Sequence, residues 1–327
     1  MDNYILCLTV FLLSLVLTVI IEARLIPLLS RRAKQPIYEG GPSWHLSKSG
    51  TPTMGGIAFL VSISLSIFAV ILILTFSGKS TTGSISLLIT ILFAIGNSLI
   101  GVFDDLMKLH KKENAGLTPL QKLGLQAIIS ILFLMARRHF LGDGTTVDLW
   151  LGRVELGALY YPLAIILLLG ITNCANLTDG IDGLATSVAI TIGISFLVIG
   201  YGVSYDVPIL SSALVGGSCG FLFFNVNPAK IFMGDTGSLF LGSLAVGIAF
   251  SLKNPLIIIP IGIVYVIEGI SVILQVAVYK ITKKRLFKMA PLHHHLEKSG
   301  LNENRICVIA VAITLIISAV SLFLLRS

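Results

Sequence analysis

The sequence predicts an all-α polytopic membrane protein of about ten transmembrane helices, forming a single integral membrane domain over residues 1–327. Composition is the first reason, because 55% of the residues are hydrophobic and only 12% are charged. Soluble domains carry about 25% charged residues, which give them a solvated surface. The second reason is that apolar runs long enough to cross a hydrocarbon core of about 30 Å fill most of the chain. Lys and Arg lie mainly between these runs.

Ten apolar segments have the required length of roughly 17–25 residues. They lie at roughly 4–28, 53–76, 84–103, 118–137, 158–175, 183–202, 207–224, 236–252, 255–280 and 305–326. The ninth carries Glu268 followed by Gly269, which predicts a bend or break at that point. The first lacks a basic flank and a small-residue cleavage site, so we expect a span rather than a removed signal peptide.

The basic residues predict the orientation. The odd-numbered loops contain 15 Lys and Arg residues, whereas the even-numbered loops contain five. Cytoplasmic loops carry the excess of positive charge, so we expect the odd loops inside and both termini outside. The longest even loop, residues 138–157, alternates Val147, Leu149 and Leu151 around a Gly152-Arg153 turn. This period-2 pattern predicts a short exterior β-hairpin.

The net charge of +7 suits loops that meet anionic lipid or phosphate ligands. Nucleic-acid binding would also explain a basic chain, but here the basic residues separate apolar spans, so we expect no nucleic-acid partner. The four cysteines lie in or beside apolar runs without CxxC spacing. We therefore expect small packing residues rather than disulfides or a zinc site.

The motifs of carboxylates, glycines and histidines described below all lie in odd-numbered loops, which predicts an active site facing the cytoplasm. Asp104 and Asp105 lie where the third span ends. Neighbouring residues on a helix diverge by about 100°, so the two carboxylates cannot serve one point equally. The alternative is a helix-end ion pair with Lys108.

Two further loops carry acidic motifs. Asn176, Asp179 and Asp182 recur at i, i+3 and i+6, which places them on one face if the segment is helical; capping of the sixth span is the alternative. Asp235 lies in a Gly-rich segment that opens the eighth span, where backbone N–H groups and the helix dipole favour a phosphate. A carboxylate there repels phosphate unless a cation separates them, which predicts Mg²⁺. The alternative is that Asp235 is only an N-cap.

Three consecutive histidines, His293, His294 and His295, lie in the last odd loop. Their side chains diverge in a helix and in a strand, so they are poor joint ligands for one Zn²⁺. They suit hydrogen bonds to a phosphate or a carboxylate, and the alternative is a solvated polar loop.

Five segments in this order resemble the polyprenyl-phosphate N-acetylhexosamine-1-phosphate transferases, and most closely the phospho-MurNAc-pentapeptide transferase (MraY, translocase I) family. They are Thr51-Pro-Thr-Met-Gly-Gly56, Phe103-Asp-Asp-Leu106, Asn176-Leu-Thr-Asp-Gly-Ile-Asp-Gly-Leu-Ala185, Phe232-Met-Gly-Asp-Thr-Gly-Ser238 and Pro291-Leu-His-His-His-Leu-Glu297. The resemblance extends over essentially the whole chain.

The resemblance implies transfer of phospho-MurNAc-pentapeptide from UDP-MurNAc-pentapeptide to undecaprenyl phosphate, with lipid I and UMP as products and Mg²⁺ as cofactor. It implies an enzyme of peptidoglycan synthesis in the bacterial inner membrane, and it leaves a homodimer open. A sister transferase that hands GlcNAc-1-phosphate to the same carrier is the nearest alternative. A secondary transporter is a distant one, which would show internal repeats and charges at the bilayer midplane.

The resemblance also implies roles for single residues. Asp235 would be the principal Mg²⁺ ligand, with Asp104 and Asp105 as the base or a supporting metal contact and His294 near the diphosphate. Phe232 would lie against the uracil. The residues implied to bind substrate are Lys48, Lys108, Lys122, Asn176, Asp179, Asp182, Asn225, Phe232, His293 and His295.

Overall fold

A computed structural model of the chain describes residues 3–32, 48, 50–78, 81–111, 116–149 and 152–326. One long helix coincides with each predicted segment. The long helices are α1 (Asn3–Arg32), α2 (Gly56–Phe76), α3 (Thr81–Lys111), α4 (Pro119–Ala136), α5 (Tyr160–Thr178), α6 (Leu184–Gly200), α7 (Asp206–Asn225), α8 (Gly234–Ser251), α10 (Ile263–Thr282) and α12 (Glu303–Arg326). Two short helices, α9 (Ile258–Ile261) and α11 (Leu292–Glu297), precede α10 and α12. Lys34, Lys79 and Lys112, which helped to predict the orientation, lie outside the described residues.

The long helices confirm an all-α polytopic membrane protein. Among the described residues, eight helices are long and apolar enough to cross a membrane. The two long helices outside this set are α6, which has 17 residues, and α8, which begins with Gly234-Asp235-Thr236-Gly237. The count of ten spans and the exterior position of both termini stay predictions.

Helix α8 forms the centre of the bundle. Every residue from Thr236 to Ser251 is buried, and α2, α3 and α5 pack against it. Glycines allow this close packing, because a Cβ on Gly56 would lie 2.3 Å from the Cα of Gly237. A Cβ on Gly101 would lie 2.3 Å from the carbonyl oxygen of Asp235. Small residues at these crossings therefore let α2 and α3 lie directly against the first turns of α8.

The far end of α8 is held by a buried arginine. Arg137, which is 2% exposed, lies in the π-helical turn Arg137–Leu141 that extends α4. Its guanidinium donates to the carbonyl oxygen of Phe250 at 2.8 Å and to the Asp143 carboxylate at 2.6 Å. A cation at the C-terminus of a helix satisfies a carbonyl that has no partner within the helix and complements the helix dipole.

The outer helices expose apolar side chains. Leu132 on α4 is 60% exposed, Ile273 on α10 is 68% exposed and Ile316 on α12 is 64% exposed. Rows of such residues on a water-facing surface would be unfavourable, whereas they match the hydrocarbon of a bilayer. The outer surface of the bundle is therefore the lipid-facing surface.

The start of α4 illustrates how the sequence sets a helix boundary next to the site. The Thr118 hydroxyl accepts a hydrogen bond from the Gln121 N–H, and the Gln121 side chain accepts one from the Thr118 N–H. This capping box, with Pro119 at the first helical position, satisfies two N–H groups that the helix leaves unpaired. It places Lys122 in the first turn of α4.

The predicted break at Glu268 is wrong. A 3-10 turn at Pro255–Ile257 leads into α9, and the interruption comes at Gly262. Helix α10 then continues through Glu268 and Gly269. Gly269 serves close packing instead, because a Cβ there would lie 2.2 Å from the sulfur of Cys174 on α5.

The predicted hairpin is confirmed. Strands β1 (Thr146–Leu149) and β2 (Gly152–Glu155) pair antiparallel, with Thr146 opposite Glu155. The predicted Gly152-Arg153 turn is wrong, because both residues belong to β2. Residues 150–151, which join the strands and include Leu151 of the predicted pattern, lie outside the described residues.

We predict that Lys288→Cys, in a cysteine-free background, will resist a membrane-impermeant maleimide in intact cells, whereas Val154→Cys will react. The basic-residue asymmetry places position 288 inside and the hairpin outside, and both positions are exposed in the fold. Labelling is measured before and after permeabilisation, which should make position 288 reactive. Rapid labelling of position 288 in intact cells would reverse the orientation.

Candidate active site

Acidic residues from two odd-numbered loops meet at one point. Carboxylate oxygens of Asp104, Asp105 and Asp235 all lie within 4.8 Å of one another. Asp104 and Asp105 belong to the final turns of α3, and Asp235 belongs to the first turn of α8. The two α3 residues are buried, whereas the Asp235 side chain keeps 17% of its surface exposed. The crossing of α3 and α8 therefore builds the centre of the site.

Asp105 binds the N-terminus of α8. Its carboxylate accepts hydrogen bonds from the backbone N–H groups of Asp235 at 3.2 Å and Thr236 at 2.9 Å. It also accepts one from the Thr236 hydroxyl at 2.7 Å. The first N–H groups of a helix have no partner within it, and the helix dipole favours an anion there. Gly234 leaves the space, since a Cβ on it would lie 2.6 Å from an Asp105 carboxylate oxygen.

Asp104 has different partners from Asp105. Its carboxylate lies 2.6 Å from the Lys108 ammonium, one turn further along α3. It also accepts the backbone N–H of Leu117 at 2.7 Å, which ties the start of the α4 region to α3. The ion pair between Asp104 and Lys108, the alternative interpretation of this motif, is therefore present. It is more than a helix-end pair, because Lys108 also reaches Asp235 at 3.0 Å.

Asp235 is surrounded by donors. One carboxylate oxygen lies 3.0 Å from the Lys108 ammonium and 2.7 Å from the Lys122 ammonium. The other oxygen accepts a hydrogen bond from the Asn176 amide at 2.9 Å, and that amide also donates to the Ser238 hydroxyl. The N-cap alternative is wrong, because Met233 is the N-cap residue of α8 and Asp235 follows inside the helix.

The charges of this cluster are nearly balanced. Three carboxylates meet two lysine ammonium groups, so the cluster has one excess negative charge when all five groups are ionised. Carboxylate oxygens are the ligands that hard divalent cations such as Mg²⁺ prefer. The side chains that could hold such a cation are therefore Asp104, Asp105 and Asp235.

Asn176, Asp179 and Asp182 do not share one helical face. Helix α5 ends at Thr178, and Asp179 adopts a non-helical backbone. Asn176 contacts Asp235, whereas the Asp182 carboxylate turns to the Lys48 ammonium at 2.7 Å and to the backbone N–H of Ala229 at 2.9 Å. The capping alternative is also wrong, because Gly183 is the N-cap residue of α6 and no side chain caps that helix.

Asp179 lies near both Asp182 and the cluster that contains Asp105 and Asp235. Burial among protein atoms, together with the negative charges of Asp235, Asp105 and Asp182, raises the pKa of the Asp179 carboxyl well above its usual range. Part of its surface is still accessible. No hydrogen bond of its carboxyl group is recorded within the described part of the chain. Asp179 is therefore positioned to hold a proton near the acidic cluster.

Lys48 and Asp182 form a network with Glu303, which sequence reasoning missed. The Lys48 ammonium donates to Asp182 at 2.7 Å and to Glu303 at 2.8 Å, and the Glu303 carboxylate also accepts the Asp182 backbone N–H. Burial disfavours the charged form of Lys48, but the two carboxylates outweigh it and raise the pKa of this lysine. Glu303 lies in the first turn of α12, where an acid is also a common helix-start residue.

Asn225 and Phe232 shape the loop between α7 and α8. Asn225 is 2% exposed. Its side-chain oxygen accepts hydrogen bonds from the Gly183 N–H and the Thr186 hydroxyl, and its amide nitrogen donates to the Ile231 carbonyl. It therefore braces the loop from within. The Phe232 backbone pairs with Pro52 and Gly55, and its ring stays half-buried.

The three histidines have separate surroundings. His293 is fully buried, and its backbone N–H donates to both oxygens of the Glu268 carboxylate, at 3.1 and 3.2 Å. The half-buried His295 ring accepts the Lys288 N–H at 3.1 Å. His294 lies 2.7 Å from the Glu297 carboxylate and keeps 12% of its side chain exposed. The solvated-loop alternative is therefore wrong, and so is the predicted divergence of His293 and His294, whose ring centroids lie 4.2 Å apart.

Several residues of the site escaped the sequence reasoning. Thr236 and Ser238 lie within the Gly-rich motif that was singled out, so their proximity to Asp235 was a usable signal. In the sequence, Glu268 stands out only as a polar residue in an apolar span. Glu303 gave no signal, since its partners Lys48 and Asp182 lie far from it in the chain.

The chain is similar over most of its length to bacterial proteins named phospho-N-acetylmuramoyl-pentapeptide-transferase. It is 42% identical over 316 residues to the protein of Halalkalibacterium halodurans, which covers 95% of both chains. It is 40% identical over 306 residues to that of Clostridium perfringens, covering 93% of this chain and 92% of the relative. It is 44% identical over 300 residues to that of Bacillus velezensis, covering 90% of each.

Two family models match as well. The Glycosyl transferase family 4 model matches residues 84–253, a range that includes the acidic cluster. Signature 1 of phospho-N-acetylmuramoyl-pentapeptide-transferase matches residues 48–60, which begin at Lys48. From these matches and the identities over nearly the full length, the chain belongs to the phospho-N-acetylmuramoyl-pentapeptide-transferase family.

Proposed function

We propose that this chain transfers phospho-N-acetylmuramoyl-pentapeptide from a uridine diphosphate nucleotide to a polyprenyl phosphate in the bacterial inner membrane, forming lipid I for peptidoglycan. The family to which the chain belongs supports the substrate class. The observation that carries the chemistry is the cluster of Asp104, Asp105 and Asp235 with Lys108 and Lys122, placed where apolar helices α3, α4 and α8 end or begin. The side chains of Asp235, Lys108 and Lys122 keep part of their surface exposed, so we expect this site to be reachable from water and to border the lipid.

The proposed reaction joins two anions. An oxygen of the lipid phosphate attacks the β-phosphorus of the nucleotide, the bond to the α-phosphate oxygen breaks, and UMP leaves with those electrons. A phosphate monoester has a second pKa of about 6, so the nucleophile needs little help from a base. Neutralising charge and aligning the reactants are therefore the main tasks of the site.

Mg²⁺ fits this cluster, and Asp235 is our proposed principal ligand because its carboxylate is the least buried of the three and lies at the helix N-terminus. When bound, Mg²⁺ would supply Lewis acidity and charge neutralisation at the diphosphate. Lys108 and Lys122 would turn from Asp235 to phosphate oxygens, as hydrogen-bonding point charges. Asp104, which shares Lys108, would orient that lysine or take the last proton of the lipid phosphate.

The nucleotide is proposed to extend from this cluster toward Asp182 and Phe232. The half-buried Phe232 ring offers a flat face for the uracil. Asn176 and Asp179 would line the way from Asp235, and Lys48 with Asp182 would close the far end of the nucleotide site. We propose His294 as the histidine that approaches the diphosphate, since the His293 ring is fully buried and the His295 ring accepts the Lys288 N–H. Asn225 and His293 are supports of the pocket in this proposal.

The sister activity, transfer of GlcNAc-1-phosphate, is the alternative. It would use the same carboxylates and lysines, so those residues do not separate the two. The long basic loop that carries the histidine triplet is where a lactyl-peptide arm with free carboxylates would meet Lys and His.

The purified protein, given undecaprenyl phosphate and Mg²⁺, should release UMP from UDP-MurNAc-pentapeptide and almost none from UDP-GlcNAc. UMP and the lipid product are measured together, and chelation of divalent cations with EDTA should stop both. A preference for UDP-GlcNAc would support transfer of a sugar phosphate to the polyprenyl carrier but refute the assignment to peptidoglycan synthesis. Full activity in EDTA would refute the metal requirement.

Asp235→Asn should lower the turnover number by at least about 10²-fold, the scale of losing one strong electrostatic contact in a site. The amide keeps the shape of the side chain, so the thermal unfolding midpoint in detergent should change little. Glu155→Gln on the hairpin, an acid-to-amide change away from the site, is the matched control. Near-normal turnover of Asp235→Asn would show that this carboxylate holds no essential cation.

Asp104→Asn and Asp105→Asn should differ in stability. Asp105→Asn removes an anion from the buried N-terminus of α8, where hydrogen bonds to a charged group contribute about 1.5–3 kcal/mol. It should lower both the unfolding midpoint and turnover. Asp104→Asn keeps an acceptor for the Leu117 N–H and should lower turnover by at least about 10²-fold with a smaller loss of stability. Equal midpoints for the two variants would contradict the capping role of Asp105.

A further inference from the structure

We infer that Glu268 is a positioning residue of the site, which through His293 fixes both the Asp179-Gly180 turn and the orientation of His294. This inference rests on the proposed function, because it assigns a task within the same reaction. In the part of the chain that the structure describes, Glu268 makes no hydrogen bond or ion pair with Asp104, Asp105 or Asp235. Its effect would pass through the short helix α11.

The first observation is where Glu268 sits. It is 5% exposed on α10, among apolar residues, yet its carboxylate accepts hydrogen bonds from another segment of the chain. Both of its oxygens accept the His293 N–H, and one lies 3.2 Å from the Nδ1 atom of the His293 ring. A carboxylate in such surroundings is unfavourable unless it has partners. The backbone N–H at the start of α11 is one that the six-residue helix cannot satisfy itself.

The second observation is what His293 touches on its other side. Its ring is fully buried against Gly180, where an added Cβ would lie 2.1 Å from the Nε2 atom. Gly180 directly follows Asp179, so the imidazole supports the backbone of that turn. The His294 ring centroid lies 4.2 Å from that of His293, nearly edge to face. One imidazole therefore contacts both the acidic turn and the neighbouring histidine.

The third observation is that two other side chains of α10 also hydrogen-bond the backbone of neighbouring segments. Two turns beyond Glu268, the Gln275 side chain accepts the N–H groups of Leu286 at 3.1 Å and Phe287 at 2.8 Å. One turn before it, the Tyr265 hydroxyl donates to the Ala185 carbonyl at 3.0 Å. The Gln275 contact reaches the triplet at His295, whose ring packs on Phe287 with centroids 5.7 Å apart, whereas the Glu268 contact reaches it at His293, next to His294.

A helix of six residues has little stability of its own in water. Its placement therefore depends on anchors, and Glu268 is the anchor at its first turn. Loss of that carboxylate would let α11 shift relative to Asp179. A displacement of about 1 Å in a catalytic group is enough to cost about 10²-fold in rate.

The test uses the full-length protein in detergent with Glu268→Gln, His294→Ala, the double variant and the control Glu155→Gln. Glu268→Gln should lower the turnover number by between about tenfold and 10²-fold while the KM for the nucleotide stays within about threefold. Adding it to His294→Ala should lower the turnover number by less than the product of the two single losses, because part of the effect of Glu268 passes through His294. The control should match the unaltered protein.

A second readout needs no turnover. Diethylpyrocarbonate modification, followed by mass spectrometry of the peptide that carries the triplet, should leave His293 unmodified in the unaltered protein and modify it in Glu268→Gln. Unchanged turnover per folded molecule, or additive losses in the double variant, would reduce Glu268 to a purely structural residue. If the unaltered protein releases no UMP, the proposed function fails, whereas the histidine reactivity still tests the Glu268–His293 contact.

Discussion

The contact between the Asp105 carboxylate and the N-terminus of α8 is the interaction on which the rest of the site depends. Helix α8 is buried along nearly its whole length, so water cannot satisfy its first N–H groups. Asp105 supplies the acceptor from α3. The same contact brings Asp235 next to Asp104, and the glycines at the α2 and α3 crossings leave room for it. With Arg137 at the opposite end, the central helix is bound at both termini by charges from other helices.

Much of the fold could be predicted because its signals are local. Apolar length sets each helix, and nearly every predicted segment coincides with one long helix to within a few residues. The break in the ninth segment was misplaced because Glu268-Gly269 looks like an interruption, whereas Glu268 has a partner and Gly269 packs on Cys174. The hairpin was found from its alternation, and its turn was misplaced because Gly152 belongs to the strand.

The site could be predicted as a set of loops but not as a set of contacts. Motif spacing found the acids of the central cluster, and the family resemblance implied its lysines. It did not show that Asp182 turns to Lys48 or that Asn225 is an internal brace, because such choices depend on how distant helices dock. Glu303 shows the limit most clearly, since only the packing of α12 beside the Asp182 loop gives that residue its partners.

The two lysines of the central cluster share one oxygen of Asp235. A divalent cation that binds this Asp235 oxygen would displace both ammonium groups. A phosphate that binds the two lysines would in turn leave the oxygen free to bind the cation. Each ligand thus lowers the cost of binding the other. Thermodynamic reciprocity requires the two affinities to rise by the same factor. We therefore expect a divalent cation and a phosphate to bind this cluster cooperatively, each more tightly in the presence of the other.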